Sequence, residues 1–127
     1  MHWDGNTETI FDETYLAQSM ELDDKDFLAE VYEIYVNQAN VMVNDMIHKA
    51  SDLATVKDNL SCITDLAHKL KSSSRSVGAF RMGHLMELIE AACRQQDADG
   101  AVMHIESLAD VLARTVAAIG ARLSNLK

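Results

Sequence analysis

The chain has 127 residues, enough for one domain that can bury an adequate core without disulfides or metal. Its formal net charge is −9, which argues against nucleic acid as a partner, because that recognition rests on cations neutralising phosphates. Proline is absent, glycine numbers five, and no uncharged apolar run reaches the roughly 18 residues a membrane span needs, so a soluble all-α domain without membrane contact is expected.

Residues 1–9 read as a mobile start, polar and acidic with an isolated Trp3 and no signal-peptide pattern. Residues 10–20 (Ile10, Phe11, Tyr15, Leu16, Met20) predict a short amphipathic helix with Asp12 as its cap. Glu21, Asp23, Asp24 and Asp26 mark a break and a new helix start, where carboxylates favour the positive end of the dipole.

A second helix is predicted from about Lys25 to Ala50. Its stripe is Leu28, Val31, Tyr35, Ala39, Met42 and Met46, widened by Phe27, Ile34 and Val41. His48 suits its C-terminal dipole end. A third helix starts at Ser51-Asp52 and runs to about Val77. Its buried face alternates steps of four and three through Val56, Leu60, Ile63, Ala67, Leu70, Ser74 and Val77. Gly78 then fits a left-handed stop.

The fourth helix spans roughly Phe80 to Gln96, with Met82, Leu85, Ile89, Ala92 and Cys93 inward. Asp97, Asp99 and Gly100 make a turn. The fifth spans about Ala101 to Leu126, with Ile105, Leu108, Leu112, Val116, Ile119 and Leu123 inward. Short loops between four long helices specify an up-down antiparallel four-helix bundle with a short extra N-terminal helix, one domain over residues 10–127. The methionines read mostly as core filler. His84 and His104 read as surface or interface packing. Cys62 and Cys93 form no CxxC pair and read as free core cysteines of a reducing compartment, so a cytoplasmic protein is expected.

Metal chemistry lacks its ligands: there is no Glu-x-x-His, no His-Glu-x-x-His and no Cys/His cluster at zinc spacing. No nucleophile elbow and no glycine-rich phosphate loop is present, so neither a hydrolase nor a kinase is indicated. What does stand out is the third helix. No acidic residue occurs between Asp65 and Glu87, while Lys69, Lys71, Arg75 and Arg81 all fall in that gap. The gap reads either as a solvated face or as a site for an anionic surface or phosphoryl group. His68, Lys71, Ser72 and Arg75 stand at i, i+3, i+4 and i+7, so they share one face beside the buried seam.

The run His68, Leu70, Lys71, Ser72, Ser73, Gly78, Ala79 resembles the active-site motif of histidine-phosphotransfer (HPt) domains, with Ser72 where the family carries glycine. The resemblance covers roughly residues 10 to 126. It implies a four-helix-bundle phosphocarrier without autonomous kinase activity. His68 would be the phospho-acceptor and Lys71 the cation that meets the phosphoryl oxygens. Lys69, Ser72, Ser73, Arg75 and Arg94 would meet the phosphoryl group or the receiver. The family places an orienting residue, usually glutamine, 22 positions after the histidine; that position is Glu90, four residues before Arg94. Glu90 and Arg94 also read as a surface ion pair. The implied partners are response-regulator receiver domains or a hybrid sensor kinase, met by a monomer. No cofactor of its own is implied; Mg²⁺ would belong to the receiver. The alternative is a non-phosphorylated adaptor bundle that docks a receiver or kinase.

Overall fold

A computed structural model of the chain describes residues 9–21 and 23–126. Of the expected mobile start over residues 1–9, residues 1–8, with Trp3, lie outside the described residues. All regular structure among the described residues is helical: α1 (Tyr15–Met20), α2 (Lys25–Lys49), α3 (Leu53–Asp58), α4 (Leu60–Val77), α5 (Phe80–Arg94), α6 (Ala98–Ile105) and α7 (Leu108–Leu126).

Local chemistry sets the boundaries. Asp24 caps α2 by accepting from the Phe27 N–H, and Asp52 caps α3 by accepting from the Thr55 N–H and hydroxyl. The first helix is shorter than expected. Asp12 does not cap it; its carboxylate holds the Thr14 N–H and hydroxyl one turn earlier. The expected third helix is two helices, broken at Asn59. There the side-chain amide donates to the Thr55 carbonyl and the Asn59 N–H reaches back only three residues to Val56. Asparagine offers the backbone an alternative to the helical ladder, and here that alternative wins.

The expected fifth helix is also two. Asp97 accepts from the Gly100 N–H and so starts α6 at Ala98, taking Asp99 and Gly100 into the helix rather than the turn. The turn itself is made by Gln96, in the left-handed region at φ 60°, which ends α5 at Arg94. A tight Ser107 N–H to His104 carbonyl bond then separates α6 from α7.

α4 and α5 form the most extensive helix pair; α2 packs on α4 and α7, and α5 on α6 and α7. The core is built from Ile63, Ala67, Leu70 and Val77 of α4 against Met82, Met86 and Ile89 of α5, Tyr32, Val43 and Met46 of α2, and Leu108 and Ile119 of α7. Two expected faces were rotated. On α2, Phe27, Ile34 and Val41 are exposed, and the stripe is widened on its other flank by Tyr32 and Val43. On α7, Val111 and Thr115 are buried while Leu112, Val116 and Leu123 are half-buried. Thr115 is tolerated there because its hydroxyl donates to the Val111 carbonyl of its own helix. Cys62 is exposed, not in the core, because it stands one residue off the seam position Ile63; Cys93 is buried and both are free.

Two details hold the α4–α5 pair in place. Ser74 belongs to the buried seam, and its hydroxyl lies 2.7 Å from the Tyr35 hydroxyl of α2, so each polar group satisfies the other. Burial pushes the Tyr35 phenol up to about 12, with the Ser74 bond acting in the opposite direction. Gly78 sits at φ 88° as the stop of α4, and its carbonyl accepts from the Asp12 N–H. A Cβ there would come within 2.7 Å of the Asp12 carbonyl oxygen, so the N-terminal segment can cross this corner only over glycine. The crossing is completed by Tyr15 edge-on to Phe80 and by the Arg81 N–H donating to the Thr9 carbonyl.

Candidate functional site

The extensive α4–α5 contact brings the middle of one helix against the C-terminal half of the other. His68, two residues before the seam position Leu70, leaves α4 on its flank, and its side chain is 58% exposed. Glu90 follows the seam position Ile89 on α5, and its side chain is only 5% exposed. The offset of 22 residues becomes a direct contact: His68 Nδ1 lies 3.1 Å from Glu90 Oε2. Since the carboxylate accepts, Nδ1 carries the proton, and Nε2 is the nitrogen left to meet a partner.

Two further cations close on the same carboxylate. Lys71 Nζ donates to Glu90 Oε1 at 2.8 Å, and an Arg94 guanidinium nitrogen stands 2.6 Å from Oε2. A buried carboxylate is acceptable only when paired and hydrogen-bonded, and Glu90 has three partners. Burial pushes its carboxyl up, but Lys71 foremost, then Arg94 and His68, outweigh this and hold it below the usual carboxylate range. Glu90 therefore stays ionised at neutral pH. It is a buried anion rather than half of a surface ion pair.

A surface recess of about 360 Å³ lies beside this group, lined by Lys71, Glu87, Glu90, Ala91, Arg94 and Gln95. Glu87 and Gln95 were missed from the sequence. Glu87 could have been found as the residue one turn before Glu90 on the same helix face; Gln95 carries no such signal. Glu87 accepts from Arg75 at 3.0 Å, and the Arg75 stem lies across Gly83, where a Cβ would meet its Cγ at 2.9 Å.

Four of the residues proposed from sequence thus converge: His68, Lys71, Glu90 and Arg94. The other four stand apart from them. Lys69 and Ser72 are exposed on α4, and Arg75 is engaged with Glu87. The Ser73 hydroxyl donates back to the Lys69 carbonyl of its own helix at 3.2 Å, so its hydrogen is already used. No cluster of His, Cys, Asp and Glu suited to a metal occurs among the described residues, and no helix among them is long and apolar enough to cross a membrane.

An exposed imidazole with one nitrogen anchored on a buried anion, and with cations one turn away, can accept and hand on an electrophilic group. No curated protein matches the chain significantly. A solved rice protein, described as a histidine-containing phosphotransfer protein, shares its fold with a TM-score of 0.69 at 21% identity, covering 92% of this chain and 82% of that one. The family model named Hpt domain matches residues 26–121, which take in α2 through most of α7 and all four converging side chains, and the chain therefore belongs to the Hpt domain family.

Proposed function

We propose that this protein carries phosphoryl groups on His68 between receiver domains of a multistep two-component relay. The observation that carries the reading is the exposed His68 ring with Nδ1 anchored on buried Glu90, which leaves Nε2 outward. In the forward step Nε2, neutral, attacks the phosphorus of a receiver's aspartyl phosphate. The P–O bond to the aspartyl oxygen breaks and the carboxylate leaves. The ring becomes a phosphoimidazolium, its Nδ1–H still donated to Glu90. The second receiver's aspartate attacks the phosphorus, the P–N bond breaks, and its electron pair returns to Nε2. No proton moves in either direction.

Lys71 lies on the same face and would turn from Glu90 toward the phosphoryl oxygens, where charge concentrates during transfer. Arg94 remains on Glu90 while this happens. Lys69, Ser72 and Arg75, exposed around the histidine, would face the receiver surface. Mg²⁺ and the cation that activates the aspartate would be supplied by the receiver, so this chain acts as a phosphocarrier without kinase activity of its own. A cytoplasmic monomer, with the four long helices running up and down antiparallel in one domain over residues 10–127, completes the reading.

The test is incubation with a phosphorylated receiver. Label should move to this chain, be lost in acid, and fail to appear in His68→Gln with helical circular dichroism unchanged. Label mapped to His48, His84 or His104 would sink the assignment. Docking without any transfer of label would favour the adaptor reading instead.

A further inference from the structure

The structure places a carboxylate on the histidine ring itself, at a position where the isosteric amide of glutamine would reach equally far. The difference has little effect on where the ring points, since both groups accept from Nδ1–H. It bears on how firmly Nδ1 keeps its proton once Nε2 carries phosphorus.

A phosphohistidine exists in two forms. With Nδ1 protonated, the P–N bond breaks with neutral imidazole as the leaving group. With Nδ1 deprotonated, the leaving group is an imidazolate, a far stronger base, and the bond is correspondingly inert. We propose that Glu90 makes the phosphoryl group on His68 short-lived by holding the proton on Nδ1 of the phosphorylated ring. The proposal rests on His68 being the acceptor. In hydrolysis, water attacks the phosphorus and the P–N electron pair returns to Nε2. Inorganic phosphate leaves, and the proton from water goes to solvent.

The charged groups around the ring support this sign. On α5, Glu90 lies 3.1 Å from Nδ1, and Arg94 sits on the same carboxylate. On α4, Lys71 holds the other oxygen. Glu87 is turned to Arg75, with His84 4.0 Å away. α2, which also packs on α4, faces it with the neutral Tyr35 hydroxyl on Ser74. α1 meets α4 at its far end, where Asp12 reaches Gly78. An anion in contact with a protonated ring favours that form, and here Lys71 and Arg94 share its charge, which tempers the effect. The phosphoryl group itself draws Lys71 away from Glu90, which leaves more of the carboxylate's charge for the ring.

The test loads parent and Glu90→Gln with phosphate from phosphoramidate, a small donor that needs no receiver, and follows loss of label against pH. The parent should stay labile to a pH about one unit higher than the variant. Above the variant's midpoint its phosphoprotein should live up to tenfold longer. Superimposed lability profiles overturn the proposal while leaving His68 as the acceptor. If Glu90→Gln takes no label from phosphoramidate, both proteins are loaded from a phosphorylated receiver and the same lability profiles decide: a parent labile to higher pH upholds the proposal, and superimposed profiles overturn it. A parent that takes no label from either phosphoramidate or a phosphorylated receiver overturns the phosphocarrier reading instead.

Discussion

Removing the Lys71 ammonium separates a role in transfer from a role in docking. In the resting protein Lys71 donates to Glu90 at 2.8 Å, and Glu90 keeps Arg94 at 2.6 Å and His68 at 3.1 Å when it is gone. The buried carboxylate is therefore not orphaned by Lys71→Ala. The stability loss should be about 1 kcal/mol, below the ~3–5 kcal/mol typical of breaking a buried pair outright. During transfer the accounting is different. A charge-assisted hydrogen bond to the phosphoryl oxygens contributes about 1.5–3 kcal/mol. At 1.36 kcal/mol per decade, its loss slows transfer by about 10- to 150-fold. The effect should appear in the single-turnover rate from a phosphorylated receiver at saturating concentration, because the contact strengthens as charge develops. A rate unchanged at saturation, with only a weaker apparent affinity, would refute the reasoning and make Lys71 a docking residue.

Other outcomes follow from the same geometry. Tyr35→Phe leaves the buried Ser74 hydroxyl without its 2.7 Å partner. That hydroxyl can turn to its own helix, as Thr115 does, so the cost should be near 1 kcal/mol, read as a fall of about 3–5 °C in Tm, and largely recovered in Tyr35→Phe with Ser74→Ala. Gly78→Ala forces an L-residue to φ 88° and sets its Cβ 2.7 Å from the Asp12 carbonyl, so urea denaturation should show a loss of roughly 2–3 kcal/mol; a neutral result would mean that the corner repacks.

The seam of the third predicted helix was legible in the sequence because apolar spacing is a local property of the chain. Val56, Ile63, Ala67, Leu70, Ser74 and Val77 are all buried, as that spacing requires. Gly78 was legible for a similar reason: a helix stop in the left-handed region selects glycine whatever surrounds it. His68 and Lys71 were legible as a pair because both lie on one helix face. The helix breaks at Asn59 and at Glu106–Ser107 were not, because a periodic apolar stripe continues through a kink when both segments pack on the same core. The exposed side of α2 was not legible because an apolar residue says nothing about which neighbour will cover it, and Phe27, Ile34 and Val41 stay exposed among the described residues. Tertiary structure alone decided the state of Glu90. Its neighbours in sequence allow a solvated ion pair with Arg94. Only the packing of α5 against α4 takes its carboxylate out of water and brings His68 and Lys71 onto it, and burial beside two cations turns a surface charge into an anion anchored under an imidazole.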